Sequence, residues 1–307
     1  MTPSSPPADL KTGHPPAAAS WREYLELTKP RLSLLSVITA LVGYLSALPY
    51  WDWWRTFCLV AGTAFCAGGV AALNQYMERD TDALMRRTAD RPIPTGAIAP
   101  GSAFVIGWLM NIAGLALLFF QVNGESAFLA LATIIAYLSI YTPAKRWSRW
   151  STEIGAISGA LPPLIGWAAA GRTSGLLGWS LFAILFTWQM PHFFALAWTY
   201  REDYAAARMP MISVVDPSGH KVARRAFVWT VLLVGVSALP ALYGYCSMYY
   251  LAVALLLGLW FLRSAFLFLD PARRETEARR LFFISIAYLP ILLAVLVADR
   301  IWFRLIP

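Results

Sequence analysis

Asn74, Glu78 and Asp82 stand four residues apart at the end of an apolar run. At about 100° per residue, each step of four drifts by only about 40°, so the three form one stripe along the last two turns of a helix. One amide oxygen and two carboxylates stacked in this way suit a hard divalent cation. Mg2+ takes few carboxylates, keeps several waters, and draws its remaining ligands from substrate phosphates. Arg86, Arg87 and Arg91 follow at once and could hold such phosphates through forked hydrogen bonds. The plainer reading is a helix end solvated by mixed charges, and the rest of the chain decides between the two.

The elements that must position this stripe are membrane helices. Of 307 residues, 58% are hydrophobic and 14% charged, against roughly 25% charged in soluble domains. Residues 1–20 are Pro-rich, lack an apolar signal core and the Arg-rich pattern of a transit peptide, and are expected to form a disordered tail. Residues 21–307 are expected to form one domain. A short amphipathic piece, Trp21 to Leu27, precedes nine apolar spans near the roughly 20 residues that cross a bilayer. They run over 31–49, 56–77, 102–121, 126–143, 152–170, 176–199, 226–245, 248–268 and 281–298. Trp51, Trp53 and Trp54 read as an interfacial belt. Cys58, Cys66 and Cys246 fall inside or beside spans without metal-ligand spacing and read as reduced packing residues.

The net charge of +8 is a topology signal, not a nucleic-acid footprint, because the basic residues lie in loops between spans. With the tail placed in the cytoplasm, 21 of the 25 basic residues fall on that side. Such a bias predicts an inside N-terminus, an outside C-terminus and an odd number of spans. The simplest home is a bacterial plasma membrane, with the lipid bilayer as a partner and no nucleic acid.

A second acidic helix end, Arg201-Glu202-Asp203, lies four spans after the first, on the same side of the membrane. Two such ends suggest an internal duplication in which each half supplies part of one site. His192 lies in an apolar helix, where a polar side chain is rare. On a continuous helix it would sit about 16 Å before Asp203 on nearly the same face. It reads as a packing histidine, as a haem contact or axial ligand, or as a proton acceptor. Asp80 lies about 200° around the helix from Glu78, mostly outside the stripe. Lys145 and Arg146 follow Tyr141-Thr142-Pro143 in a basic loop, either as membrane anchors or as diphosphate contacts. Phe182, Phe186, Trp188, Met190, Phe193 and Phe194 read as packing. Arg273, Arg274, Arg279 and Arg280 mix with Glu275 and Glu277 as a solvated loop, and His220 sits in a polar loop.

These residues carry a resemblance. N-x-x-x-E-x-x-x-D from Asn74 to Asp82, basic residues, and then Arg91-Pro92-Ile93-Pro94-Thr95-Gly96 resemble the UbiA-type intramembrane prenyltransferases. The wider family writes the first motif N-x-x-x-D-x-x-x-D. Glu78 at its middle position, with Thr28-Lys29-Pro30-Arg31 and Pro191-His192-Phe193, is similar more narrowly to the branch of protoheme IX farnesyltransferases (haem O synthases). The resemblance runs from about Thr28 to the last helix. It implies an all-α bundle of nine transmembrane helices around a central cavity open to the cytoplasm. It implies Mg2+ held by Asn74, Glu78, Asp82 and Asp203, with Lys29, Arg86, Arg87, Arg91 and Lys145 on the diphosphate of farnesyl diphosphate. His192 would serve the protoheme IX or take a proton. The family's second motif is commonly D-x-x-x-D, but Ala207 stands four residues after Asp203. Asp203 then binds a second metal with fewer ligands, or Glu202 contributes, or one metal site alone is strong.

The implied reaction transfers a farnesyl group to a vinyl group of protoheme IX with addition of water, giving haem O. A haem A synthase or a terminal oxidase would be a partner. Two rivals stand beside it. A prenyltransferase for an aromatic quinone precursor would call for a carboxylate-binding Arg in the cavity more than a mid-helix His. A non-enzymatic haem or lipid carrier has no use for a tiered Asn/Glu/Asp stripe facing several arginines.

Overall fold

The computed structural model describes residues 19–47, 51–172 and 175–305, and the regular elements among them are all helical. Most of the expected tail therefore lies outside the described residues. Its last residue, Ser20, caps α1 (Trp21–Leu27), its backbone N–H donating to Glu23 Oε2 at 2.5 Å, half of the reciprocal arrangement that fixes helix starts.

Lys29 joins α1 to α2 (Pro30–Ala47) with φ of 47°. A non-glycine residue at positive φ is held there only where its surroundings over-determine it. Pro30 then opens α2 at the position that needs no N–H. Helix α3 (Trp53–Asp82) is 30 residues long, about 45 Å at 1.5 Å per residue, against about 30 Å of bilayer hydrocarbon. That surplus carries Asn74, Glu78 and Asp82 towards the polar boundary on the same helix that crosses the membrane.

Helix α4 (Pro100–Gln121) packs on α3 through small residues. A Cβ on Gly69 would lie 2.7 Å from the Gly107 carbonyl oxygen, and one on Gly114 the same distance from that of Gly62. The two contacts, one pair of turns apart, let the backbones meet, as membrane helices require where lipid is as apolar as Leu. Helix α5 (Gly124–Ile135) runs into a π-helical segment, Ala136–Tyr141, and a last turn α6 (Thr142–Ala144). Pro143 cannot complete an α-helical bond, and the widened turns before it absorb the mismatch. Thr142 Oγ1 bonds the Tyr137 carbonyl at 2.9 Å.

The expected span 152–170 consists of two short helices, α7 (Ser151–Ala160) and α8 (Pro162–Ala169). Pro162 and Pro163 break it. Among the described residues, eight helical stretches are long and apolar enough to cross a membrane, and α7–α8 is not one of them. After α9 (Leu176–Thr199) the helix stops at Tyr200 before α10 (Arg201–Ala206). Asp203 is thus not on one continuous helix with His192, and the 16 Å spacing does not apply.

Helix α11 (Ile212–Val215) precedes α12 (His220–Leu242), α13 (Met248–Leu267) and α14 (Arg274–Leu305). Two sequence readings need correcting here. His220 is the first residue of α12, and Arg274, Arg279 and Arg280 lie on α14 and not in a loop. Helices α9 and α12–α14 share one apolar core around Leu181, Leu233, Phe261 and Tyr288. A second core forms among α2–α5 and α8, around Tyr44, Leu59, Leu118 and Ile165. In the first, Tyr250 donates to the Ser237 carbonyl at 2.8 Å and Ser237 shares a hydrogen bond with Tyr288 at 2.8 Å, so these buried hydroxyls find partners without water.

Candidate active site

The end of α3 gathers the sequence-predicted residues. Asn74, Glu78 and Asp82 are all buried there, and each meets a cation from elsewhere. Lys29 Nζ donates to Asn74 Oδ1 at 2.9 Å, and Asn74 Nδ2 donates to Thr142 Oγ1 at 3.3 Å. Lys145 Nζ donates to Glu78 Oε1 at 2.8 Å and lies 4.5 Å from the Tyr141 ring centroid. Arg91 Nη1 donates to Asp82 Oδ2 at 2.6 Å. Local structure explains each arrival. The π segment and α6 aim Lys145 inward, and Arg146 bonds the Met77 carbonyl at 2.8 Å, pinning that segment to α3. Thr88 Oγ1 bonds the Asp82 carbonyl at 2.8 Å, folding the chain back so that Arg91 reaches the stripe.

The second acidic end joins the same place. The Arg87 backbone N–H donates to Asp203 Oδ2 at 3.4 Å, and Arg86 Nε lies 3.5 Å from Asp203 Oδ1. Arg86 Nη2 also reaches Glu202 Oε2 at 3.2 Å, while the Arg87 guanidinium lies over Tyr200. Asp80 points away; it is 78% exposed and pairs with Arg79. The lysines differ electrically. Burial, reinforced by the Arg91 charge, pulls the Lys29 amine down to about 7. Burial also disfavours charge on Lys145, but Glu78 beside it outweighs that and holds the amine well above its ordinary value.

Five cations thus face four carboxylates and one amide. Among the described residues no three His, Cys, Asp or Glu side chains lie close enough together to hold a metal alone. The donor set nevertheless fits Mg2+, which needs only one or two carboxylates when phosphate oxygens complete its shell. Asp82 Oδ1 is a buried carboxylate oxygen with no hydrogen-bond partner. An orphaned acceptor of that kind is costly unless something positive completes it.

Two cavities are lined by members of this array other than the stripe itself. One, of about 170 Å3, has Lys29 at its head and walls that include Leu32, Val70, Ile134, Tyr137 and Ile165. The other, of about 600 Å3, is lined by residues that include Arg86, Asp203, Arg279, Phe282 and Phe283. His192 does not join the cation–carboxylate pairs. Its ring stacks between Trp188 (4.9 Å) and Phe282 (4.8 Å), and Nδ1 lies 2.7 Å from Ser285 Oγ. Ser285 spends its one proton on the Phe282 carbonyl at 2.5 Å. With the hydroxyl proton so placed, Nδ1 carries the hydrogen and Nε2 the lone pair.

Sequence reasoning missed Thr142, Tyr137 and the role of Tyr141. The four-residue spacing of Tyr137, Tyr141 and Lys145 was the available signal. It also missed Arg279, for which the sequence offers no cue.

A helical membrane bundle with an Asn/Glu/Asp stripe under a ring of cations defines an intramembrane prenyltransferase. Residues 36–287 match the UbiA prenyltransferase family, and the chain belongs to it. A relative from Opitutus terrae named protoheme IX farnesyltransferase is 56% identical over 94% of this chain and 98% of its own. One of the same name from Solibacter usitatus is 43% identical over 91% and 99%. Among solved structures, a digeranylgeranylglyceryl phosphate synthase has a TM-score of 0.77 at 18% identity, covering 92% of this chain and 98% of its own. A UbiA homolog from Archaeoglobus fulgidus bound to GPP and Mg2+ has a TM-score of 0.62 at 15% identity, covering 89% and 99%. These two show the fold.

Proposed function

We propose that this enzyme transfers the farnesyl group of farnesyl diphosphate to a vinyl group of protoheme IX, with addition of water, giving haem O. The observation that carries it is the meeting of the cation-ringed Asn74/Glu78/Asp82 stripe with an apolar cavity at Lys29. The names of the relatives supply the acceptor.

Lys29, Arg86, Arg87, Arg91 and Lys145 hold the diphosphate and stabilise the charge that grows as its C–O bond breaks. Asn74, Glu78, Asp82 and Asp203 would hold Mg2+, which neutralises the diphosphate and improves it as a leaving group. The bonding pair leaves with the diphosphate, so the farnesyl C1 is an allyl cation that must not meet bulk water. The apolar cavity excludes water and takes the isoprenoid chain. The vinyl π electrons form the new C–C bond. Water then captures the cation beside the porphyrin and loses a proton. His192 Nε2 and the departing diphosphate are the candidate acceptors. His192 is equally placed to contact the haem through the same atom.

The two short helices α7 and α8 would complete a ninth pass, with both cavities opening to the cytoplasm of a bacterial inner membrane. The 21-to-4 split of basic residues supports an N-terminus inside and a C-terminus outside. A haem A synthase or terminal oxidase would receive the product. Incubation of the purified chain with farnesyl diphosphate, Mg2+ and protoheme IX should yield a product whose mass shows one farnesyl group and one hydroxyl group added. Unchanged protoheme would refute the assignment. A reporter after Pro307 should be periplasmic and one within 201–219 cytoplasmic; both on one side would refute the nine-pass topology.

A further inference from the structure

Four arginines stand between residues 273 and 280, and three are committed. Arg273 pairs with Asp270 at 3.5 Å and Arg280 with Glu277 at 3.6 Å, while Arg274 is buried on backbone carbonyls that include those of Ser218 and Leu269. Arg279 has no carboxylate partner among the described residues. It lines the 600 Å3 cavity with Arg86 and Asp203.

The element that carries it is fixed. One turn earlier Glu275 accepts from Trp198 Nε1 at 3.1 Å and pairs with Arg201 at 2.9 Å, tying the start of α14 to α9 and α10. Phe282 and Phe283, three and four residues on, share a face with Arg279 and line the same cavity. Phe282 continues into the parallel stack with His192 and Trp188. An exposed cation on an anchored helix, lining one cavity of ligand size with two aromatic rings, suits a flat apolar molecule with a carboxylate at its edge.

We infer that this cavity receives the acceptor and that Arg279 binds a propionate carboxylate of the porphyrin, with the macrocycle against Phe282 and Phe283. The assignment rests on the proposed farnesyl transfer to protoheme IX. It separates the substrates: isoprenoid in the smaller cavity, porphyrin in the larger, and the cation–carboxylate pairs between them. Arg279 is a binding residue and touches no reacting atom.

The test compares protoheme IX with its dimethyl ester, in which the carboxylates are masked. Both are titrated by absorbance into the purified full-length chain. The unaltered chain should prefer protoheme by about tenfold or more, as a charge-assisted hydrogen bond allows. Arg279→Ala should weaken protoheme binding by about tenfold and erase the preference, with farnesyl diphosphate affinity unchanged. Arg279→Lys should restore part of it, and Arg280→Ala should behave as the unaltered chain. An Arg279→Ala variant that still prefers protoheme, or that loses farnesyl diphosphate affinity instead, overturns the subsite while farnesyl transfer stands. If the unaltered chain makes no farnesylated haem, the proposed function falls and the subsite with it.

Discussion

At the end of α3, Glu78 and Asp82 are buried and meet largely buried cations, Lys145 at 2.8 Å and Arg91 at 2.6 Å. Past the end of α9, Asp203 is also buried, but its partner Arg86 is 83% exposed and its neighbour Glu202 is 76% exposed. The two acidic ends therefore work in different media. Charges act on one another several times more strongly where water is excluded, so the α3 end is a stiff, preset array and the α9 end a wet and adjustable one. Ala207, where the family's second acid commonly stands, fits this division, because it leaves Asp203 without a second buried carboxylate. On the proposed reading, Glu78 and Asp82 would carry most of the metal binding and Asp203 less.

That asymmetry can be broken most directly at the carboxylates. Glu78→Gln or Asp82→Asn should lower turnover by about a hundredfold or more, as removal of a preset electrostatic group does. Asp203→Asn should cost about ten times less. Rates of farnesylated-haem formation measured side by side decide it, and equal losses would mean that the two ends are equivalent after all.

Stability gives a second, smaller effect. Lys145→Ala strands the buried Glu78 charge and should destabilise the folded protein by about 3 kcal/mol, seen as a lower melting temperature in detergent. Adding Glu78→Gln should recover most of that loss without recovering activity. Arg86→Ala, at an exposed pair, should leave the melting temperature almost unchanged. Similar destabilisation from both single variants would erase the difference in medium.

The smallest effect concerns His192, which belongs to neither end. His192→Ala should shift the spectrum of bound protoheme or weaken its binding by about tenfold, the scale of one polar contact. Farnesyl diphosphate affinity should stay within about twofold. A normal haem spectrum together with lost diphosphate affinity would move His192 to the metal end.

The amino-acid sequence by itself determined the class of fold and the stripe. Spans are written as apolar runs because lipid offers no partner for exposed backbone, so helix and length follow locally. Asn74, Glu78 and Asp82 share a face through a period of four within one helix, which is also local. The resemblance added Lys29, Arg91 and Lys145 as diphosphate contacts. What needed the tertiary structure was everything set by distant segments. The pairing of Lys29 with Asn74, of Lys145 with Glu78 and of Arg87 with Asp203 depends on packing between segments 45, 67 and 116 residues apart. Arg279 shows the limit most plainly. In the chain it is one of four arginines among glutamates, and the pattern reads as a solvated loop. Arg273 and Arg280 pair with acids three residues away and Arg274 caps carbonyls of Ser218 and Leu269, but only the folding of α14 against α9 and α10, through Glu275, places Arg279 at a cavity.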